Sequence, residues 1–378
     1  MATERIRALD GLRGLAAVVV ILHHLLLVDN WFANALLTFE AYPSDDWKAI
    51  VYYTPLHIFF AGTEAVLVFF MLSGIVLVRA FPGFTSLSVS YFVSRLTRLY
   101  LPIWGSIVFA LLLTFARPDR VPPGISWWLL GNYQTVTAEG VLTDSEQLNT
   151  LLVESAVLIN YSDLYSNWLN SSLWSMKIEI VASILLFVFV LGSKRPVVFL
   201  VLFAAVVFLL DLDPEIRQYL QFLMYFAAGA WLAVSKIRAS RWVADGLIVF
   251  SVLAFTTPWM LRGTSSPLAS GGIELLLGLV GAIALGFGVL GDSSFKKLLE
   301  TRPFQYLGSR SYSIYLVHAP VVTLVGFWVV NLTGSIKDWF AVAPLAVVLA
   351  LLAGELFHWA VERPSLHVAR RLRRSIRI

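Results

Sequence analysis

The chain has 378 residues, of which 58% are hydrophobic and only 14% are charged, and its mean hydropathy is +0.77. A soluble domain is nearer half apolar and a quarter charged, so this composition excludes an ordinary soluble protein and indicates a polytopic membrane protein. The absence of cysteine excludes disulfides and any cysteine nucleophile or metal site, and the net charge of +4 comes from basic residues beside apolar segments, which does not favour nucleic-acid binding.

Apolar segments long enough to cross a hydrocarbon layer of ~30 Å, allowing for tilt, recur along the whole chain. They predict an all-α polytopic membrane protein with about ten transmembrane helices. The first segment carries no small-residue cleavage site, so we expect it to be retained as a span. We assign residues 1–364 to one transmembrane domain and residues 365–378 to a basic tail. The predicted spans are residues 12–30, 55–78, 99–116, 172–192, 196–212, 218–235, 243–260, 270–291, 312–332 and 340–361.

The basic residues that flank these spans predict the orientation. Twenty-one of the 28 lysine and arginine residues fall on the side that holds both termini, six fall on the other side, and Lys177 lies within a span. Cytoplasmic loops carry the excess of Lys and Arg, so we expect cytoplasmic N- and C-termini in a multi-pass protein of the cell membrane. The arginine-rich tail from Ala369 is expected to lie beside anionic membrane lipids.

The first predicted span carries the most informative residues. Asp10 and Arg13 stand at its cytoplasmic start, and His23 and His24 follow within the apolar run. Arg13 and His24 are eleven residues apart, which on a helix is ~16 Å of rise and within ~20° of the same face. That face would present a cation at the membrane surface and an imidazole near the bilayer midplane, which suits an anionic substrate and proton chemistry. His23 points ~100° away, and we interpret it as structural.

Ionisable side chains at membrane depth are costly and usually functional. Besides His24, the sequence places Glu64, Glu179 and His318 within the second, fourth and ninth predicted spans. An imidazole beside a carboxylate can activate a weak hydroxyl nucleophile, so these four groups could converge on one cavity. The alternative is that each is satisfied separately in a helix–helix contact. We interpret the ionisable residues nearer the span ends as structural: His57, Glu274, Glu355 and His358.

Two arginines, Arg95 and Arg98, lie one helical turn apart at the cytoplasmic end of the third predicted span. Two guanidinium groups on one face suit a phosphate or diphosphate, although arginines that merely flank a span are common. Together with Arg13 at the same membrane face, the pair favours the docking of an anionic cofactor there.

The long outer segment, residues 117–170, contains an apolar stretch that is too short to span the membrane, and it is either a loop or a re-entrant piece. We interpret its aromatic residues as an interfacial belt, and the alternative is a platform on which sugar rings or another amphipathic acceptor stack. The aromatic residues are Trp127, Trp128, Tyr133, Tyr161, Tyr165, Trp168 and Trp174.

Several blocks along the chain point to a known family. They are RALDGLRGLAA at 7–17 with His24 beyond it, FFMLSG at 69–74, RLTRLYLP at 95–102, LWSMKIE at 173–179, SYSIYLVH at 311–318 and VERP at 361–364. In this order they resemble membrane acyltransferase family 3, the O-antigen acetylase kind of O-acyltransferase. The resemblance covers essentially the whole chain.

The resemblance implies transfer of an acyl group, usually acetyl, from cytoplasmic acyl-CoA (acetyl-CoA) as co-substrate. The implied acceptor is a hydroxyl of a cell-surface carbohydrate or a related small molecule, and no metal is implied. Lys177 and Ile178 depart from the small or polar residues usual at those places, and Ile180 replaces a second acid. A carboxylate-pair role therefore does not carry over. The implied catalytic residues are His24 and Glu179, and the implied cofactor-binding residues are Arg13, Arg95, Arg98, Ser73 and Gly74.

The resulting hypothesis is that Arg13, Arg95 and Arg98 bind the phosphates of coenzyme A. His24 then deprotonates the acceptor hydroxyl or takes the acyl group itself, while Glu179 orients or charge-balances the imidazole. Asp10, Glu64 and His318 are further candidates. The rival class is a proton-coupled transporter of a small molecule or lipid-linked substrate, which the cytoplasmic arginines and the lack of inverted repeats fit less well.

Overall fold

The computed structural model describes residues 6–38, 47–81, 87–118, 125–134, 140, 143–149, 168–269 and 271–375. All regular secondary structure within these residues is helical, as the apolar composition predicts. Short 3₁₀ segments occupy Pro55–Phe60, Trp168–Leu173, Pro267–Ala269 and Ile336–Asp338, and a π-helical turn covers His358–Glu362.

The α-helices of this part of the chain are numbered in order. They are α1 (Arg7–Leu27), α2 (Asn30–Leu37), α3 (Trp47–Tyr52), α4 (Gly62–Ala80), α5 (Leu87–Thr114), α6 (Trp127–Gln134), α7 (Ser145–Asn149), α8 (Trp174–Ile184), α9 (Leu186–Gly192), α10 (Pro196–Leu209), α11 (Pro214–Val234), α12 (Arg241–Met260), α13 (Gly271–Leu290), α14 (Ser294–Leu299), α15 (Arg302–Thr333), α16 (Trp339–Phe357) and α17 (Arg363–Ser375).

Every predicted span overlaps a helix, and the multi-pass membrane character is confirmed. Among the described residues, seven helical stretches are long and apolar enough to cross a membrane: α1, α4, α5, α12, α13, α15 and the stretch that contains α16. The pair α8 and α9, bent by 62°, makes an eighth if it forms one span. Helix α10 has only 14 residues, and α11 begins with polar and charged residues. The count of ten and the orientation of the termini stay predictions.

The chain divides into two compact units. The first comprises Met1–Val20, Pro43–Gly83 and Val181–Ser309, and the second comprises Ile21–Tyr42, Phe84–Ile180 and Arg310–Ile378. Helix α1 is one uninterrupted helix, so Arg13 and His24 lie on the same helix as predicted.

Close backbone approach at glycines holds the helices of the first unit together. A Cβ at Gly74 of α4 would overlap the carbonyl oxygen of Phe226 on α11, and one at Gly229 of α11 would overlap the carbonyl oxygen of Met71. Small residues let membrane helices approach closely enough for backbone packing. The α4–α11 pair therefore depends on glycine at both positions.

We expect Gly74→Ala to lower the free energy of unfolding by about 1–3 kcal/mol, because the added methyl group forces two backbones apart. Gly246→Ala on α12 is the matched control, since no atom lies within 4 Å of a Cβ there. Its expected effect has the opposite sign, a gain of about 0.5–1 kcal/mol from helix propensity. Thermal unfolding in detergent measures both. Equal effects of the two substitutions would contradict the packing argument.

In the second unit, α17 packs on α5 rather than extending as a free tail. Ser365 and Ala369 are buried in this contact, and the Arg373 guanidinium lies 5.7 Å from the ring centre of Tyr91. Arg370 and Arg371 on the other face are exposed. Basic residues on an exposed helical face fit the predicted position beside anionic lipids, which stays a prediction.

Candidate active site

The C-terminal turn of α1, which carries His24, is held in place by two side chains of the second unit. The Trp339 indole N–H donates to the Leu25 carbonyl at 2.7 Å, and the Ser126 hydroxyl donates to the Leu27 carbonyl at 2.6 Å. The last carbonyls of a helix have no intrahelical donor, so these bonds satisfy groups that would otherwise be orphaned. They also fix the turn on which the histidine lies.

His24 and His318 contact each other. The His318 Nε2 and His24 Nδ1 atoms are 3.2 Å apart, and the two ring centres are 4.7 Å apart. His318 is fully buried, whereas His24 is only partly buried. Trp128 packs beside His24 with 5.4 Å between ring centres, and the ring centres of His23 and His24 are 5.5 Å apart. Two of the four predicted convergent groups thus meet directly.

The contacts of His318 assign the protons in this pair. Its Nδ1 lies 2.7 Å from the carbonyl oxygen of Tyr315 and 3.2 Å from that of Ile314. Carbonyl oxygens only accept, so Nδ1 carries the proton, and full burial favours a neutral ring whose Nε2 is an acceptor. His24 Nδ1 is then the donor to His318. The lone pair of His24 consequently lies on Nε2, which is the basic nitrogen of the pair.

A proline in α15 leaves a backbone carbonyl near His318 without its helical hydrogen bond. Pro320 has no N–H, so the carbonyl of Leu316 four residues earlier loses its helical hydrogen bond. The Asn170 amide donates to that carbonyl at 2.7 Å and to the Ser106 hydroxyl at 3.3 Å. Asn170 itself is fully buried. One amide therefore satisfies the carbonyl that the proline leaves without a donor, within the turn that leads to His318.

The same buried network continues into α8. The Ser172 hydroxyl donates to the Asn170 side-chain oxygen at 2.7 Å, and the Tyr315 hydroxyl donates to the Ser172 carbonyl at 3.1 Å. Ser175 and Tyr315 also share a hydroxyl–hydroxyl bond of 2.6 Å. The ring centres of Tyr315 and His318 are 5.6 Å apart, so the bonds that fix Tyr315 also restrict the position of the His318 ring. Buried polar networks of this kind give a single rigid arrangement when satisfied.

A charged cluster lies on α5, α8 and α15 of the same unit. Arg95 donates to Glu179 in a largely buried ion pair, and Arg98, one turn away, is exposed. Tyr312 donates to the Leu99 carbonyl at 3.0 Å and lies within electrostatic reach of both arginines and of Glu179. The predicted arginine pair therefore divides into one guanidinium bound to a carboxylate and one that faces outward.

The chain from residue 6 to residue 355 matches the family model described as an acyltransferase domain. This range includes almost the whole chain and every helix that carries the site. The chain belongs to the acyltransferase 3 family. No curated protein and no solved structure matches it significantly. The protein is therefore a membrane acyltransferase.

The sequence hypothesis for this acyltransferase placed Glu179 beside the imidazole. The structure pairs Glu179 with Arg95 and brings His318 to His24. The Arg95–Glu179 pair and the His24–His318 pair are connected through α8, because Glu179 is one turn along this helix from Ser175, which bonds to Tyr315 of α15. Glu179 thus contacts Arg95, and the side chain that contacts the His24 ring is His318 rather than a carboxylate.

Glu64 belongs to the first unit. Its Oε1 accepts a hydrogen bond from the Trp259 indole at 2.6 Å, and His57 stacks on Trp259 with 4.5 Å between ring centres. Glu64, His57 and Trp259 are all buried. Trp259 satisfies Oε1, whereas the buried Oε2 of Glu64 has no hydrogen-bond partner within the described residues, so the alternative interpretation of a carboxylate satisfied in a helix–helix contact holds for one oxygen only.

The other candidates of the first unit lie on α1 and α4. Asp10 and Arg13 are half-buried on α1, where the Asp10 carbonyl lies against the Gly308 backbone. Ser73 is buried, and Gly74 forms the close contact between α4 and α11. The predicted cofactor-binding roles of Arg13, Ser73 and Gly74 stay predictions. No group of three or more metal-ligating side chains comes together among the described residues.

Sequence reasoning missed Asn170, Ser172, Ser175 and Tyr315, because their side chains are uncharged at neutral pH and so do not stand out within an apolar segment. A usable signal was present: a run of Asn and Ser directly before an apolar span, and a proline inside the ninth span. Trp128 was assigned to an interfacial belt, and the structure buries it beside His24. Residues 151–167, including Tyr161 and Tyr165, lie outside the described residues, as do the side chains of Tyr133 and Trp168.

Proposed function

We propose that this acyltransferase moves an acetyl or other acyl group from cytoplasmic acyl-CoA to a hydroxyl of a cell-surface carbohydrate or related acceptor. The observation that carries the proposal is the His24–His318 pair, in which His318 leaves the basic nitrogen of His24 at Nε2. A neutral imidazole with a fixed tautomer is the group that acyl transfer to a weak hydroxyl nucleophile needs.

His24 can serve as the base of the whole reaction. His24 Nε2 takes the proton of the acceptor hydroxyl as the oxygen attacks the thioester carbonyl carbon. The carbon–sulfur bond breaks, and the proton on Nε2 passes to the sulfur, which gives the ester and free coenzyme A. In the alternative order, Nε2 attacks the carbonyl first, the carbon–sulfur bond breaks and coenzyme A leaves as the thiolate. The acceptor hydroxyl then attacks the acyl-imidazole, the carbon–nitrogen bond breaks to return the lone pair to Nε2, and the hydroxyl proton passes to the thiolate. Both orders need the lone pair on Nε2, which the bond to His318 supports.

The donor side of the proposal rests on charge. Arg98 is an exposed guanidinium one turn from Arg95, and guanidinium groups bind phosphates through several parallel hydrogen bonds. Coenzyme A carries phosphates and is confined to the cytoplasm, where the excess of basic residues predicts that this end of α5 lies. Arg95 would be held toward the ligand by Glu179, and Arg13 is a further candidate phosphate ligand on α1.

Sealed membrane vesicles test the donor, the reaction and the orientation together. Inside-out vesicles given radiolabelled acetyl-CoA are expected to transfer label to the envelope carbohydrate fraction. Right-side-out vesicles are expected to do so only after permeabilisation, because the charged phosphates of coenzyme A keep it from crossing the bilayer.

Vesicles that contain the His24→Gln variant at equal protein level are the control. Equal labelling by intact right-side-out vesicles would contradict a cytoplasmic donor site. Uptake of label without a covalent product would contradict acyl transfer and favour the transporter alternative. Label in the lipid or small-molecule fraction would retain the reaction and overturn the carbohydrate acceptor.

A further inference from the structure

The short helix α2 follows α1 directly and presents amide and aromatic side chains on one face. Within α2 the accessible side chains are Asn30, Trp31, Asn34 and Leu37. The first three lie within about one helical turn of each other. The Asp29 carboxylate accepts hydrogen bonds from the Trp31 and Phe32 N–H groups at 2.9 and 3.2 Å. These bonds fix the start of α2, and with it the position of the accessible face.

Trp127 of α6 extends this face. Its indole N–H donates to the Asn34 Oδ1 atom at 2.8 Å, while the side chain stays 40% exposed. Tryptophans of an interfacial belt keep the polar end of the ring in water and headgroups, whereas this N–H is bound to a protein amide. We call Asn30, Trp31, Asn34 and Trp127 the aromatic–amide surface. The bond to Asn34 fixes the indole and leaves much of the ring accessible.

Two contacts join the aromatic–amide surface to the histidine pair within the second unit. The Ser126 hydroxyl, directly before Trp127, donates to the Leu27 carbonyl, which lies one helical turn past His24. Trp128, directly after Trp127, packs on the His24 ring with 5.4 Å between ring centres. The exposed tryptophan is therefore the sequence neighbour of the tryptophan that contacts His24. In the predicted orientation, this end of α1 is the outer end, where a cell-surface acceptor would arrive.

The side chains of the aromatic–amide surface suit a sugar ring. A pyranose has an apolar C–H face and a rim of hydroxyl groups, and an indole ring packs on such a face while amides bond hydroxyls. The Asn34 oxygen accepts from Trp127, so the NH2 group is the part of this amide that can donate to a ligand. Asn30 is exposed one turn away and supplies a second amide. These side chains are uncharged, which favours a neutral ring over an anionic group.

We propose that the aromatic–amide surface is the acceptor subsite and that it binds the acceptor as a pyranose sugar. Trp127 packs on the C–H face of the ring, Asn34 donates to one ring hydroxyl, and another hydroxyl reaches His24 Nε2. This inference rests on the proposed acyl transfer and specifies its acceptor as a ring-form carbohydrate. An open-chain polyol presents hydroxyls without a flat C–H face and so gains little from Trp127.

Matched acceptors test the subsite in enzyme solubilised in a detergent without a sugar headgroup, with radiolabelled acetyl-CoA. The acceptors are methyl glucoside and its open-chain counterpart glucitol. The wild type is expected to favour methyl glucoside by about tenfold or more in kcat/KM. Trp127→Ala is expected to remove that preference, and Trp127→Phe is expected to retain part of it because a smaller aromatic face remains.

Trp328 of α15 is the matched control for Trp127. It is 42% exposed, and its indole N–H also donates to a protein oxygen, the Ala116 carbonyl, at 2.7 Å. Trp328→Ala is expected to retain the preference for methyl glucoside. Equal loss of the preference in Trp127→Ala and Trp328→Ala would indicate that both rings act as membrane anchors, and it would overturn the subsite.

Asn34 gives a second arm. Asn34→Asp keeps an oxygen that accepts from the Trp127 indole and removes the NH2 donor. It is expected to raise the KM for methyl glucoside by about three- to tenfold, while the KM for acetyl-CoA stays unchanged. Asn34→Ala also frees the indole and is expected to raise the KM for methyl glucoside at least as much. An unchanged KM for methyl glucoside in Asn34→Asp would overturn the subsite.

The envelope carbohydrate fraction serves as a third acceptor for the same variants, so that a requirement for a larger glycan is covered. Equal use of methyl glucoside and glucitol, or a preference that survives Trp127→Ala, overturns the subsite and leaves acyl transfer standing. If only the envelope fraction is labelled, an unchanged KM for that fraction in Trp127→Ala overturns the subsite in the same way. No labelled product from any acceptor overturns the proposed function and, with it, the subsite.

Discussion

His24→Gln is expected to lower acyl transfer by about 10²–10⁴-fold with little change in the KM for acyl-CoA, because the base or nucleophile of the reaction is lost while phosphate binding is retained. Rates of labelled acetyl transfer in purified enzyme measure the effect. His367→Gln, on the exposed face of α17, is the matched control and is expected to keep full activity. Retention of more than half of the activity by His24→Gln would contradict the assignment.

His318 provides a graded test of the tautomer argument. Its Nε2 accepts from His24 Nδ1, so a side chain with an acceptor at the same place should retain part of the function. We expect His318→Gln to lose less activity than His318→Leu, and His318→Leu to lose about 10–100-fold, less than His24→Gln. Equal activity of His318→Leu and wild type would show that His24 needs no orienting partner.

Hydropathy was sufficient to predict the architecture, because every stretch long enough to cross the bilayer must satisfy its backbone internally and so becomes a helix. The placement of Arg13 and His24 on one helix followed from the apolar run of the first span and is confirmed by the uninterrupted α1. Helix ends and counts were less predictable: α10 is short, and α8 and α9 are bent by 62° relative to each other. Bends and short helices depend on neighbouring helices that hydropathy does not describe.

The side chain that each site residue contacts could not be predicted in the same way. Depth placed His24, Glu179 and His318 in comparable parts of their spans, but depth does not specify the face of each helix that meets a neighbour. The structure joins His24 to His318 and Glu179 to Arg95, contacts that connect residues 294 and 84 positions apart. A carboxylate pairs more favourably with a guanidinium than with a neutral imidazole, which explains why Glu179 binds Arg95 and not His24.

The Asn170–Leu316 bond was beyond single-sequence reasoning for a different reason. Pro320 marks a carbonyl that needs a donor, but any polar side chain at that depth could supply it. The donor comes from a segment where the backbone leaves helical geometry, with φ −145° and ψ 91° at Asn170. Irregular backbone at membrane depth is tolerated when protein groups cover it, and here the bonds to Ser106, Ser172 and Leu316 provide that cover.

Asn170→Ala is expected to lower the free energy of unfolding by about 1–3 kcal/mol, because it leaves the buried Leu316 carbonyl without a donor. The lost bond also frees the turn that carries His318, so we expect kcat to fall while the KM for acyl-CoA changes little. Asn331→Ala, at an exposed position near the end of α15, is the matched control and is expected to change neither the free energy of unfolding nor kcat.

A second substitution tests the cause. Pro320→Ala restores an N–H that can donate to the Leu316 carbonyl, so Asn170→Ala combined with Pro320→Ala is expected to be more stable than Asn170→Ala alone, with a favourable coupling energy of about 1 kcal/mol. Recovery of kcat is expected to be partial, since Asn170 also binds Ser106 and Ser172. Simple addition of the two losses in thermal unfolding would show that Asn170 acts through its serine partners and not by replacing the hydrogen bond that Pro320 removes.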